Sequence, residues 1–128
     1  MANKFHAKKT PCAYGHPHDS KKEAQRCNEL HLLQEEGIIS DLQIQVPFDL
    51  LPFTEYPKLM LPRRWLPKGC KALGNERKIT YKADFVYQAE GFRIVEDVKG
   101  ERTPDYILKR KMFRSLYCKN GKMIFIET

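Results

Sequence analysis

A stripe of apolar residues three positions apart predicts a first helix over about 20–36. Its members are Ala24, Cys27, Leu30 and Leu33. Ser20 and Glu23 have the spacing of a capping box, in which the two side chains satisfy free N–H groups at a helix start. Gly37 is a typical C-terminal stop signal. We therefore expect the regular structure to begin with a helix.

Three further segments have the patterns of strands. Apolar and polar residues alternate over about 41–50, which predicts a strand with one buried face. Residues 78–88 and 92–99 are rich in β-branched and aromatic residues, and the turn residues between them predict a hairpin. The expected order is a helix followed by a three-strand meander.

The C-terminal part predicts a second helix and a closing strand. Thr103-Pro104-Asp105 is typical of a helix start, and helical spacing of apolar residues continues to Tyr117. The short apolar run 123–127 predicts a buried strand in the same sheet. The order helix, three strands, helix, strand indicates an α/β fold with a mixed sheet flanked by helices.

Two segments lack a regular pattern. Residues 52–77 are rich in proline and glycine, and we interpret them as a loop insertion that can touch a substrate, with a short hairpin around 58–65. Residues 1–19 are polar and irregular and form either an N-terminal arm or a zinc knuckle. The remaining residues, 20–128, are enough for one domain with one core.

Four candidate zinc ligands lie at the end of the arm and in the first helix, at Cys12, His16, His18 and Cys27. Structural zinc sites use cysteine and histidine, but the spacing C-x3-H-x-H-x8-C is not that of a standard finger. Cys27 also belongs to the apolar stripe, where a free cysteine is an ordinary core residue. A structural zinc site and a flexible arm with a buried Cys27 both stay open.

Charge adds a candidate partner. The 128 residues include 23 Lys and Arg against 16 Asp and Glu, a net charge of +7, and the pI is about 9.3. This excess favours a polyanionic partner, and its clustering near the predicted second helix favours DNA. No apolar run approaches the roughly 18 residues of a membrane span, and the first residues lack a signal-peptide core. We expect a cytoplasmic protein with no membrane contact.

Two carboxylates and a lysine are expected at one edge of the predicted hairpin. Asp84 lies on its first strand, while Asp97 and Lys99 share one face of its second strand. The same alternation sends Glu96 to the opposite face. A carboxylate pair of this kind can bind Mg²⁺ or Mn²⁺, and a lysine can stabilise charge on a phosphate. Gln45, on the preceding strand, is a further candidate for this site.

At these positions the chain resembles the PD-(D/E)XK nuclease superfamily. The motif here is Asp84, a spacing of twelve residues, and then Asp97-Val98-Lys99. The element order is also that of the restriction-endonuclease-like core. A closer resemblance, over about 20–128, is to small phage-encoded proteins of uncharacterised function. It is carried by SKKEA at 20–24, LQIQ at 42–45, YKADFVY at 81–87 and EDVKG at 96–100.

The resemblance implies metal-dependent hydrolysis of DNA phosphodiester bonds. It assigns metal binding to Asp84 and Asp97, a place near the attacking water to Lys99, and completion of the site to Glu23. It also implies a phage- or prophage-encoded protein that acts inside a bacterial cell in recombination or replication. Branched DNA is one candidate substrate, and nicking, flap cleavage and end resection stay open. A single-domain nuclease often dimerises to cut two strands, so a homodimer is expected.

The predicted second helix supplies candidate phosphate contacts at Thr103, Lys109, Arg110 and Lys111. The alternative for the basic residues is an ordinary solvated helix face. Two other functions stay open for the whole chain. One is a catalytically weak or inactive nucleic-acid-binding module of the same fold, and the other is a structural interaction protein whose positive charge is incidental.

Overall fold

In the computed structural model, which describes residues 9–58 and 63–128, the chain forms an α/β fold with two helices and a mixed four-stranded sheet. The described elements are, in order, β1 (Thr10–Pro11), β2 (Pro17–His18), α1 (Lys21–Glu35), β3 (Ser40–Leu51), β4 (Ile79–Ala89), β5 (Phe92–Asp97), α2 (Pro104–Tyr117) and β6 (Met123–Glu127). The predicted order of helix, three strands, helix and strand is confirmed. No helix in the described ranges is long and apolar enough to cross a membrane.

The sheet has the strand order β3-β4-β5-β6. The meander β3-β4-β5 is antiparallel, whereas β6 pairs with β5 in parallel. Two neighbouring parallel strands need a crossover connection, and α2 provides it. In the hairpin, Phe85 pairs with Glu96 and Val86 with Val95.

The two helices pack on opposite faces of the sheet. Buried residues on the α1 face are Cys12, Ala24, Cys27, Leu30, Ile39, Phe85 and Tyr87. Buried residues on the α2 face are Phe48, Leu50, Tyr81, Ala83, Val86, Val95, Tyr106 and Phe113. The neighbours Phe85 and Val86 belong to different faces, as strand alternation requires. Neighbouring residues of β5 are therefore also directed to different layers.

Strands β3 and β4 switch faces half-way along, which the simple alternation did not predict. Ile44 packs on the α1 face and Val46 on the α2 face, although a regular strand would place both on one side. Gln45, between them, has a left-handed backbone with φ of 55°. In β4 the same switch falls at Asp84. The expectation of a single buried face for the first strand is therefore wrong.

Three other expectations need correction. β5 ends at Asp97 rather than at Lys99, whose backbone N–H instead donates to Thr128 O at 2.9 Å. Residues 10–18, expected to be irregular, form a short hairpin from β1 and β2. In the proline-rich insertion, 63–65 form a single 3₁₀ turn. The hairpin expected around 58–65 falls partly on 59–62, which lie outside the described residues.

Candidate acidic site and Cys/His cluster

Asp84 and Asp97 meet at the end of the β4-β5 hairpin. Asp84 Oδ2 accepts a hydrogen bond from Val98 N at 2.8 Å, and its Oδ1 accepts from Gln45 Nε2 at 3.4 Å. Asp97 is buried and its Oδ2 accepts a hydrogen bond from the hydroxyl of Tyr81. The hairpin thus brings the two predicted carboxylates together and adds Gln45 to one of them.

Lys99 lies against Asp97, on the face that the alternation predicts. Its Nζ is 2.8 Å from Asp97 Oδ1, so the ammonium group is the charged partner of this buried oxygen. The same ammonium group lies 3.8 Å from the centroid of the Tyr106 ring, a cation–π contact. Lys99 is therefore held beside Asp97 by charge and by an aromatic ring.

Glu23 reaches the acidic site from α1 and is 4% exposed. Its backbone N donates to Ser20 Oγ at 3.1 Å, which is one half of the expected capping box. The other half is different, because Glu23 Oε2 lies 2.7 Å from His18 Nδ1 and accepts from Asp19 N at 3.4 Å. The carboxylate is also close enough to Asp84 to raise the pKa of that residue.

The pKa values record how crowded these carboxylates are. Burial raises the pKa of Asp84 to about 7, and the neighbouring Glu23 adds to the rise. Burial likewise raises the pKa of Asp97 to about 6, with repulsion from Asp84 as the next cause. Negative charge on the pair is costly without a counterion. Protons or a bound cation can relieve this cost.

Glu96 points to the other face of the sheet, as predicted, and is fully buried. Arg26 donates to both of its oxygens, from Nε at 2.6 Å and from Nη2 at 3.1 Å. The hydroxyl groups of Tyr87 and Thr128 donate to it at 2.7 Å and 2.9 Å. Both carboxylate oxygens of Glu96 therefore accept hydrogen bonds from groups within the protein, which is the arrangement of a structural ion pair.

The candidate phosphate contacts on α2 differ in their availability. Thr103 is the N-cap, and its Oγ1 accepts from Tyr106 N at 3.2 Å. Arg110 donates to Glu127 Oε2 at 3.4 Å, so its guanidinium is partly engaged within the protein. Lys109 lies 3.9 Å from a carboxylate of the preceding turn. Lys111 is exposed, whereas Lys109 and Arg110 are partly buried.

The four candidate zinc ligands form a compact cluster that can bind a metal ion. One ligand atom from each of Cys12, His16, His18 and Cys27 lies within 4.8 Å of the other three. His16 Nδ1 is 3.5 Å from Cys12 Sγ and 3.7 Å from Cys27 Sγ. His18 Nδ1 faces Glu23, and His18 Nε2 is buried without a hydrogen-bond partner. Cys27 is also buried, as the alternative of an arm with a buried cysteine expected.

The two thiols of this cluster differ electrostatically. Burial opposes charge on Cys12, but the nearby backbone of His16 and imidazole of His18 favour the thiolate and lower its pKa to about 7. Burial raises the pKa of the Cys27 thiol to about 12. Metal coordination requires thiolates. A bound cation would stabilise the negative charge of the Cys27 thiolate, which burial alone disfavours.

Within 9–58 and 63–128, this cluster is the one set of three or more Cys, His, Asp and Glu ligand atoms drawn together within 4.8 Å. One oxygen from each of Glu23, Asp84 and Asp97 does not make such a set, so at least two of these three carboxylates are further apart. Oxygen ligands on opposite sides of a magnesium ion are about 4.2 Å apart, twice the metal–oxygen distance. These two carboxylates would have to move closer to bind one ion together.

Residues 2–126 match the model of a family described as "Protein of unknown function (DUF1064)". The chain belongs to the DUF1064 family. Comparisons with curated proteins and with solved structures give no match. The part of the chain that matches the DUF1064 model includes both the acidic site and the Cys/His cluster.

Two residues of the DUF1064 chain that shape the acidic site were not predicted. Tyr81 lies three residues before Asp84, so plain alternation would place them on opposite faces, and only the switch within β4 brings both toward Asp97. His18 was expected only as a zinc ligand, yet it contacts Glu23. Tyr81 belongs to the YKADFVY motif, but nothing in that motif indicates that its hydroxyl contacts Asp97.

Proposed function

We propose that this protein is a metal-dependent DNA endonuclease with a restriction-endonuclease-like core, acting with Mg²⁺ or Mn²⁺. One observation carries the proposal: the carboxylates of Asp84 and Asp97 come together from adjacent strands, and Lys99 Nζ lies 2.8 Å from Asp97 Oδ1. The two carboxylates share one ammonium group, so negative charge remains to be compensated, and a bound divalent cation can do this. The raised pKa of both carboxylates supports a site adapted to positive charge.

The residues present fit a hard divalent cation. Asp84 and Asp97 would hold it, and Glu23 would complete the ligand set from α1. A bound cation supplies acidity to a coordinated water and neutralises charge on the scissile phosphate. The hydroxyl of Tyr81 holds Asp97 in place, and Lys99 is positioned to donate to the attacking water or to a phosphate oxygen.

DNA is the substrate that the charge distribution supports. The chain carries a net charge of +7, and α2 presents basic side chains such as Lys111 beyond the acidic site. The insertion exposes Trp65 at 73%, beside the exposed Arg64. Exposed aromatic and basic side chains suit unpaired bases, which favours branched DNA over uninterrupted duplex. Symmetric cutting of such a substrate would use a homodimer.

The test is a cleavage panel of branched, single-stranded and linear duplex DNA, with and without Mg²⁺. The wild type is compared with Lys99→Ala and with Lys119→Ala, an exposed lysine after α2 that serves as the charge-matched control. We expect Mg²⁺-dependent cleavage by the wild type and the control, and a loss of about 100-fold or more in Lys99→Ala. Failure of the wild type to cut any of these substrates would contradict the proposal.

A nucleic-acid-binding module without cleavage is the alternative function. It is favoured by the proximity of Lys99 to Asp97 and by the wide spacing of the acidic ligands. In that case the panel shows salt-dependent DNA binding, no cleavage, and no change in Asp97→Asn. Weak binding that does not depend on salt would instead favour a structural interaction protein.

We also propose Zn²⁺ as the metal of the Cys/His cluster. Two cysteines and two histidines are a common ligand set of structural zinc sites, whereas Mg²⁺ prefers oxygen ligands. The two proposed metals therefore occupy sites of different chemistry.

A further inference from the structure

We infer that a zinc ion at Cys12, His16, His18 and Cys27 holds Glu23 in the acidic site through the imidazole of His18. The two candidate metal sites would then be connected by one histidine side chain. The zinc site stands on its own geometry. The effect of the connection on DNA cleavage rests on the proposed function.

The spacing of the ligand atoms is that of a zinc tetrahedron. With zinc–sulfur and zinc–nitrogen distances near 2.3 Å and 2.05 Å, a sulfur and a nitrogen ligand are about 3.6 Å apart. His16 Nδ1 lies 3.5 Å from Cys12 Sγ and 3.7 Å from Cys27 Sγ. Two edges of the expected polyhedron are therefore present in the arrangement of the side chains.

His18 has the two contacts of a metal-bound histidine with a carboxylate partner. Its Nδ1 is 2.7 Å from Glu23 Oε2, which leaves Nε2 as the nitrogen that a metal can use. Nε2 is buried and has no hydrogen-bond partner. Histidine ligands commonly donate their second N–H to a carboxylate, which fixes the ring and strengthens the ligand. Glu23 is that carboxylate here.

The β1-β2 hairpin is too small to be stable on its own. Each strand has two residues, and its turn includes Gly15 with a φ of 84°. Isolated two-stranded hairpins are marginal even when they are longer, and small metal sites commonly supply the missing stability. A Cys12–Cys27 disulfide could also attach the hairpin to α1. It would leave unexplained why two histidines converge on the same point.

The connection has a consequence for the acidic site. Glu23 is buried, receives His18 on one side and raises the pKa of Asp84 on the other. With zinc bound, His18 is fixed and keeps the Glu23 carboxylate in this position. Without zinc, His18 Nε2 has no partner and the hairpin keeps only its direct contacts with α1, such as Ala13 N with Asn28 Oδ1, so Glu23 is held less firmly toward Asp84.

The first experiment measures zinc directly. The wild type is purified under reducing conditions without added zinc, analysed for metal content, and titrated with Zn²⁺ and Co²⁺. We expect one zinc per chain and, with Co²⁺, the absorption bands of tetrahedral thiolate coordination. Cys12→Ser should lose both signals, whereas Cys70→Ser, a matched change in the insertion, should keep them. Absence of zinc together with failure to bind either added metal would overturn the site.

The second experiment tests the connection to Glu23. Zinc affinity is measured by competition with a chelator for Glu23→Gln and for Glu29→Gln, the same change two turns along α1 at a half-exposed ion pair. We expect affinity to fall about 10- to 100-fold in Glu23→Gln and to be unchanged in Glu29→Gln. Equal affinities would overturn the connection while leaving the zinc site. Neither readout uses DNA, so failure of the nuclease proposal would be seen separately.

Discussion

Glu96 and Asp97 are neighbours on β5, yet they occupy two different kinds of environment. Glu96, on the α1 face, is surrounded by donors from Arg26, Tyr87 and Thr128. Asp97, on the α2 face, accepts from one hydroxyl, pairs with the Lys99 ammonium group, and has another carboxylate nearby. The two acids differ in how completely the fold satisfies them.

The difference separates stability from function. A carboxylate whose acceptors are all used within the protein has nothing left for a ligand, so Glu96 joins α1 to the sheet. A carboxylate left partly unsatisfied makes the folded state less stable and persists where something else binds to it. Substitutions on the two faces should therefore have opposite consequences, and matched pairs of variants can test this.

The largest expected effect is on cleavage by Asp97→Asn. We expect activity to fall by about 1,000-fold or more, because the amide cannot replace a carboxylate ligand of the proposed cation. Unfolding should occur at the same or a higher temperature than in the wild type, since a crowded charge is removed. The control is Asp49→Asn, an exposed carboxylate of β3. Equal activity of the two variants would contradict the comparison.

On the other face, Glu96→Gln should lower the free energy of unfolding by about 3 kcal/mol, because Arg26 loses its buried counter-charge. The measurement is urea denaturation. Glu29→Gln removes the other ion-pair partner of Arg26, at 50% side-chain exposure, and should cost less than about 1 kcal/mol. A small effect of Glu96→Gln would mean that the pair does not connect α1 to the sheet.

Tyr81 and Tyr87 form a matched pair, since each donates from β4 to one of the two acids. Tyr81→Phe should reduce cleavage by about 10-fold, because Asp97 loses the hydroxyl that orients it. Tyr87→Phe should leave cleavage unchanged. Each substitution should lower the free energy of unfolding by about 1 kcal/mol. Cleavage assays and urea denaturation of both variants measure these effects, and equal losses of activity would show that the faces are not separate.

The smallest expected effect is on the pH dependence of stability without divalent cations. The folded protein binds protons at Asp84 and Asp97 more tightly than the unfolded chain, because both have a raised pKa. The stability that comes from the protonated Asp84 and Asp97 is present at low pH. It is lost as pH rises from about 4 to about 7, where the two groups ionise in the unfolded chain first and in the folded protein later.

Relative to the wild type, Asp84→Asn should therefore gain stability as pH rises from 5 to 8, by about 1 kcal/mol. Thermal unfolding at the two pH values measures the difference between the variants, in which the contributions of groups distant from Asp84 cancel. A difference that does not change with pH would show that the pKa of Asp84 is not raised, contrary to its burial and its neighbours Glu23, Asp97 and Lys99.

Local patterns in the sequence were sufficient for the element order and for part of the acidic site. Helical spacing and capping residues predicted both helices, because these signals act within a few residues. Strand alternation predicted that Asp97 and Lys99 share a face and that Glu96 does not. Four ligand-type residues near the start indicated a metal site, although their spacing left two interpretations open.

The tertiary structure alone decided which residues support the acids. The face switch at Gln45 and Asp84 depends on a left-handed backbone at a residue other than glycine, which no local pattern indicates. That switch is what brings Tyr81 to Asp97. The contact of His18 with Glu23 likewise depends on how the β1-β2 hairpin docks on α1. The sequence by itself determined the two helices, the four strands of the main sheet and the opposite faces of Glu96 and Asp97, because these follow from local periodicity. The partners of those acids come from distant parts of the chain and required the folded structure.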